Sequence, residues 1–177
     1  AIKEDAAAAI ATMKELGIKH IIMLTGDAQS VGDAVAKKLG ISEVYSELLP
    51  QDKVEKFEEI LARKGKKEKV AFVGDGINDT PVLARSDNGF AMGGLGSDAA
   101  IEAADVVLMD DKPSKIGTAM QVAKDTRRIV WQNIFFALGV KGLFLILGAF
   151  GVASMWEAVF ADVGVTVIAV INAMRIL

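Results

Sequence analysis

Residues 129–177 carry only four charged side chains, Lys141, Glu157, Asp162 and Arg175. That one stretch rules out most ways of folding this chain as a single soluble body. A chain of 177 residues has too small an interior to hide so long an apolar run,. A bilayer has no such difficulty, because about 20 largely apolar residues in a helix are enough to cross it. Ile129 to Val152 is long enough for one crossing and Ala158 to Leu177 for a return, with Gly151 to Glu157 as a short external turn lacking Lys and Arg. Trp131 and Trp156 bracket the first span, as interfacial anchors do,. Lys115, Lys124, Arg127 and Arg128 precede it and Arg175 closes the second, which puts those ends on the cytoplasmic side,.

The rest of the chain, residues 1–128, holds most of the charge and alternates strand-like with helix-like runs. Helical patterns at 4–16, 28–39, 51–63, 80–85 and 98–103 are interleaved with strands at 20–24, 41–45, 69–73, 88–92 and 105–109. Strands alternating with helices predict a parallel sheet joined by helical crossovers. Pro113 ends this region, and a long helix starts at about Ser114. The expected organisation is therefore an α/β domain with its connecting helix at 1–128 and a two-helix transmembrane hairpin at 129–177. A net charge of −3 gives no pointer to a nucleic-acid partner, and the lack of cysteine excludes disulfides and thiolate metal sites,. The single histidine, His20, opens a strand and is assigned no role.

The motif with the most chemistry is Gly74-Asp75-Gly76-Ile77-Asn78-Asp79-Thr80-Pro81-Val82-Leu83, which follows the apolar run Lys69 to Val73. Asp75 and Asp79 therefore lie just past a strand end, where open α/β sheets place their ligands. The glycines let backbone come close to a ligand. Two carboxylates one turn apart suit a hard, oxygen-seeking ion such as Mg²⁺.

A second motif, Met23-Leu24-Thr25-Gly26-Asp27, also ends an apolar run and precedes a helix. A Thr hydroxyl and glycine-freed amides beside a helix N-terminus suit an anion. The third is Leu49-Pro50-Gln51-Asp52-Lys53, in which Lys53 starts a helix as a phosphate counter-charge.

Together and in this order the three motifs resemble the phosphorylation domain of a P-type ATPase, a member of the haloacid-dehalogenase-like (Rossmann-like) fold group. The resemblance runs over essentially the whole chain. It implies that Asp75 ligates Mg²⁺ with Asp79 beside it, and that Asn78 orients their loop. It implies that Thr25 hydrogen-bonds a phosphoryl group, with Gly26 and Asp27 shaping the turn, and that Lys53 neutralises phosphoryl charge. Phosphoryl transfer depends on such positioning and electrostatic help. ATP is implied as co-substrate, bound mainly by a domain outside this sequence.

One departure bears on mechanism. The family's nucleophile is the aspartate of an Asp-Lys-Thr-Gly motif. Here Asp-Lys occurs only at Asp52-Lys53 and Asp111-Lys112, and neither continues in that way. The nucleophile and its central strand are thus expected elsewhere, making the α/β domain incomplete with an exposed apolar groove. The partners expected are the remainder of a longer pump chain, the bilayer and a transported ion.

The apolar part sharpens the resemblance. Lys141 falls near the middle of the first span and Asp162 within the second, where ionisable groups are costly and mark an ion path or pair with each other. Gly139, Gly142 and Gly148 are expected to allow close helix contact. Gln132-Asn133-Ile134, Ala137 to Lys141, Phe160 to Gly164 and Asn172 to Arg175 look like the last two spans of the zinc/cadmium/lead-exporting subgroup. That likeness implies Asp162 as ligand of the transported divalent metal and Lys141 as its built-in counter-cation. The alternative from another class is a non-catalytic, membrane-anchored truncation or subunit that binds Mg²⁺ or phosphate.

Overall fold

The computed structural model describes residues 2–74, 76–93, 98–110, 112–151 and 154–176, apart from the side chains of Ile77, Met155, Ala158 and Phe160. The chain forms two compact units, Ala1–Thr118 and Ala119–Leu177.

The first unit starts with α1 (Ala6–Glu15), β1 (Ile22–Leu24), α2 (Gln29–Leu39), β2 (Glu43–Tyr45) and α3 (Pro50–Arg63). Glycine stops α2 for a local reason. Gly40 takes φ +67°, a left-handed conformation that favours glycine, and the following Ile41 N–H closes back on the Ala36 carbonyl at 2.9 Å,. At the start of α3, Pro50 takes the first helical position, and the Asp52 carboxylate accepts the Leu49 N–H at 2.9 Å,. Next come β3 (Ala71–Gly74), a 3₁₀ turn (Ile77–Asp79), α4 (Thr80–Leu83), β4 (Asn88–Met92), α5 (Asp98–Ala103) and β5 (Val106–Leu108).

All ladders are parallel, as the alternation of elements predicts. They form two separate sheets, β1–β2 and β3–β4–β5, and no ladder joins β1 to β3 among the described residues. β4 is the middle strand of three and is buried from Gly89 to Met92, the burial expected of a strand flanked on both sides,. Phe57, Val82 and Leu83 are almost fully buried, and Phe57 meets Phe72 edge-on at 5.5 Å. These residues fasten α3 and α4 to β3, the strand from which the decapeptide emerges.

Asp87 fastens the segment that leads into β3. Its carboxylate accepts Lys64 Nζ at 2.5 Å, the Val70 N–H at 2.9 Å and Lys69 Nζ at 2.9 Å. The Lys64 ammonium, then the Val70 amide and Lys69, hold its carboxyl well below the usual carboxylate range,.

α6 (Ser114–Ala149) begins in the first unit and runs on through the second. Asp5 accepts the Ser114 N–H at 3.0 Å at its start, an acidic group at a helix N-terminus,. α7 (Met155–Ala173) follows and ends in a 3₁₀ turn. Residues 129–149 of α6 rise about 31 Å and α7 about 28 Å, each close to a hydrocarbon thickness of about 30 Å. The best window of α6 has a mean hydropathy of 1.7 and is only 6% buried. Phe135, Leu138, Leu145, Phe150 and Trp156 are all exposed. A helix buried in a soluble core would hide such side chains.

The glycines of α6 differ from expectation. Nothing lies within 4 Å of a Cβ built at Gly139, Gly142 or Gly148, so they mark no close helix contact among the described residues. At 100° per residue, Gly139 and Gly142 fall 120° or more from Asn133, which meets α7,.

Candidate functional site

Two groups of polar residues stand out, one in each unit. The first lies on loops that follow the parallel strands of the α/β unit. Thr25 Oγ1 accepts the Asp27 N–H at 3.1 Å and donates to Asp27 Oδ2 at 3.0 Å, so Asp27 shapes the turn after β1. The loop after β2 lies on that turn, with Glu47 N donating to the Asp27 carbonyl at 2.9 Å and Leu48 N to the Thr25 carbonyl at 3.1 Å. A Cβ at Gly26 would sit 3.2 Å from the Leu48 carbonyl, which explains the glycine there.

Lys53, in the first turn of α3, reaches the decapeptide. Its Nζ lies 3.0 Å from Asp79 Oδ1, and both side chains are largely buried. A buried carboxylate is tolerated because it is paired. Gly74 makes room for it, since a Cβ there would lie 2.7 Å from the Asp79 Cβ and 3.1 Å from its Oδ2. The structure thus joins Lys53 to Asp79, which the linear sequence separates by 26 positions. Asn78 is exposed in the 3₁₀ turn beside them. Asp75 lies outside the described residues. No hydrogen bond or ion pair links Thr25, Gly26 or Asp27 to Lys53 or Asp79 among the described residues.

The donor chemistry at this site suits Mg²⁺. The described carboxylate offers oxygens, and Asp79 Oδ2 accepts no hydrogen bond from a described residue. No cluster of three or more His, Cys, Asp or Glu able to hold a metal occurs among the described residues. Mg²⁺ needs no such cluster, because it keeps several waters and takes one or two carboxylates. Thr80 Oγ1 next to Asp79 is buried without a partner, a polar atom left over beside the carboxylate,.

The second group lies between the long helices. Lys141 Nζ is 2.8 Å from Asp162 Oδ1. The two residues the sequence places at membrane depth are therefore partners. They line an open cleft of about 370 Å³ together with Asn133, Ala137, Val165 and Thr166. Thr166 is committed to its own helix, donating to the Asp162 carbonyl at 2.9 Å.

An amide chain lies further along the same helices, and the sequence alone did not reveal its pairing. Arg175 Nη1 donates to Asn172 Oδ1 at 3.0 Å, Asn172 Nδ2 to Asn133 Oδ1 at 2.9 Å and Asn133 Nδ2 to the Ala169 carbonyl at 3.1 Å. The signal available was two asparagines in otherwise apolar runs, since such groups in lipid seek partners across helices. Also unforeseen was the capping box of α7, in which Ser154 N donates to Glu157 Oε2 at 2.8 Å and Ser154 Oγ accepts the Glu157 N–H. The Ser-x-x-Glu spacing was its signal.

Comparison with known proteins adds context for both groups. Residues 1–87 match the haloacid dehalogenase-like hydrolase family. Over 99% of its length the chain is 69% identical to a cadmium, zinc and cobalt-transporting ATPase of Bacillus subtilis (strain 168), of which it covers 25%. It is 58% identical to a zinc-transporting ATPase of Synechocystis sp., covering 99% of the chain and 24% of that protein. The chain thus spans about a quarter of the length of these relatives. The crystal structure of a zinc-transporting PIB-type ATPase in the E2.Pi state superimposes on the whole chain with a TM-score of 0.90 at 38% identity, over 28% of its own length.

Proposed function

This chain belongs to the heavy-metal-translocating P-type ATPases, and from that premise we propose that it is part of an ATP-driven export pump for Zn²⁺, Cd²⁺ or Pb²⁺. In this reading residues 1–128 are the cytoplasmic C-terminal portion of the phosphorylation domain with its connecting helix, and 129–177 are a transmembrane hairpin in the cell membrane. The observation that carries the proposal is the Lys141–Asp162 pair between two apolar helices, in a chain that also holds a haloacid dehalogenase-like loop site.

The phosphorylation site works through positioning. Asp75 and Asp79 would hold Mg²⁺, which would supply positive charge to the transferring phosphoryl group. Lys53 keeps Asp79 in place and adds positive charge to the same side. Thr25, fixed by Asp27, offers its hydroxyl to a phosphoryl oxygen, and Asn78 steadies the loop between the carboxylates. The nucleophilic aspartate sits on a further strand of the pump, between β1 and β3. The separation of the two sheets at that place supports this.

In the helix pair, Asp162 takes the transported cation. Lys141 leaves the carboxylate when metal arrives and competes for it again when metal must go. A carboxylate alone does not select zinc or cadmium, so soft-metal preference comes from ligands elsewhere in the pump.

Two substitutions in the intact pump test the reading. Asp75→Asn abolishes phosphoenzyme formation from ATP, and Asp162→Ala abolishes metal-stimulated turnover. Normal phosphoenzyme in the first would remove Asp75 from the site. Undiminished metal stimulation in the second would reduce Asp162 to helix packing.

A further inference from the structure

Among the described residues two polar fastenings join α6 to α7, and they differ in kind. One is the Lys141–Asp162 ion pair. The other is the amide chain in which Asn172 Nδ2 donates to Asn133 Oδ1 at 2.9 Å and Asn133 Nδ2 to the Ala169 carbonyl at 3.1 Å. Asn133 precedes Lys141 by eight positions, or about 12 Å along the helix,. Asn133 and Lys141 line the same cleft, so both fastenings act on one face of the pair.

The chemistry of the two sets their division of labour. A cation bound at Asp162 takes the place of the Lys141 ammonium, so the ion pair opens in each cycle of the proposed pump. The amide chain has no net charge at Asn133 or Asn172 and offers a cation no carboxylate, so metal does not displace it. Asn133 uses both ends of its amide across the helix pair, and Asn172 Oδ1 is occupied by Arg175 Nη1. A slip of one residue in either helix shifts it by 1.5 Å and turns it by 100°, enough to carry Asp162 away from the cleft.

Resting on the ion-pump reading above, we infer that Asn133 and Asn172 are positioning residues: their amide pair holds α6 and α7 in register while the Lys141–Asp162 pair is open, so that Asp162 meets the incoming cation at the cleft. Asn172 must donate for this, so a residue of similar size without an N–H fails and a longer amide succeeds in part.

The test uses the intact pump in proteoliposomes, with Zn²⁺ as the varied ion. Asn172→Leu raises the half-saturating Zn²⁺ concentration by about threefold to tenfold. Turnover at saturating Zn²⁺ and phosphoenzyme formed from inorganic phosphate both stay near wild type. Asn172→Gln recovers most of the loss. Asn133→Ser, a smaller change, raises half-saturation in the same direction and replaces the leucine variant should that one fail to fold. Unchanged half-saturation in a folded variant overturns the inference. So does an equal fall in turnover and phosphoenzyme with half-saturation unmoved, the pattern of general destabilisation. Asp162→Ala run alongside separates the two readings, because retained Zn²⁺ stimulation there refutes the pump site itself, whatever the asparagine variants do.

Discussion

The Lys53–Asp79 pair closes to 3.0 Å and the Lys141–Asp162 pair to 2.8 Å, yet their side chains are 19% and 12% exposed in the first and 58% and 61% in the second. Lys53 and Asp79 are enclosed by their own domain, with Gly74 leaving room for the carboxylate and the buried Phe57, Val82 and Leu83 nearby in sequence. Lys141 and Asp162 stand on an open cleft between two helices, with no core enclosing them among the described residues. Distance alone therefore says little about what an ion pair does. An enclosed pair is a fixed part of a site, costly to break, because removing one partner strands a buried charge. An open pair can exchange partners.

The largest effect should come from breaking the enclosed pair. Lys53→Ala leaves Asp79 buried and unpaired, and should destabilise the first unit by about 3 kcal/mol, the lower end of the range for buried pairs. Phosphoenzyme formation should fall with it. Chemical unfolding of the purified protein measures the first effect and acid-quenched labelling from ATP the second. A loss below about 0.5 kcal/mol, as for a surface bridge, would erase the contrast between the pairs.

Lys141→Met should act on function and leave folding nearly alone. With its competitor gone, Asp162 should hold metal about tenfold more tightly, equivalent to about 1.4 kcal/mol, and release it more slowly. Metal retention and turnover in proteoliposomes read the two sides of that prediction. Faster turnover with weaker retention would mean that Lys141 supports binding.

Asp87 sharpens the comparison with a third acid that takes two lysines and a backbone amide. Its folded-state carboxyl is held below the usual range, mainly by Lys64. The contribution of such a group is complete above the unfolded value near 4 and fades as the pH falls below it. Asp87→Asn should thus lower the thermal midpoint at pH 7, and the gap from wild type should close as the pH falls from 4 toward 2. A gap that stayed constant would assign the loss to geometry rather than charge.

The smallest effect should be Ser154→Ala. It removes one half of the α7 capping box at a cost of about 1 kcal/mol and touches neither pair,. Half-saturating Zn²⁺ should not move. A shift there would tie the start of α7 to the cleft.

The sequence was most legible where the signal is local. The strand at 88–92 and the helix at 98–103 sit at their expected bounds, because Asn88-Gly89 and Asp98 punctuate the chain there. The strand expected at 20–24 shortens to Ile22–Leu24, since a strand is defined by its partner and β2 offers only three residues, Glu43 to Tyr45. Thr25, Gly26, Asp27, Lys53, Asn78 and Asp79 were all singled out from motifs in the sequence. The bond from Lys53 to Asp79 was not, because no periodicity relates positions on α3 to those after β3. The same limit applies to Asn133 and Asn172. Each is an ordinary polar residue until α6 and α7 are set side by side. A Cβ at Gly139, Gly142 or Gly148 meets nothing among the described residues, and the helical angle turns Gly139 and Gly142 away from the face that carries Asn133,.

The two fastenings between α6 and α7 also decide where this part of the molecule can change length. The spans between them, from Asn133 to Lys141 and from Asp162 to Ala169, act as matched rulers. One residue inserted or deleted inside either span rotates everything beyond it by 100° and separates an asparagine from its carbonyl or a lysine from its carboxylate. A residue added between Phe150 and Ser154 lies beyond both fastenings and leaves the rulers aligned. Insertions and deletions should therefore be tolerated between Phe150 and Ser154 and rejected within the spans.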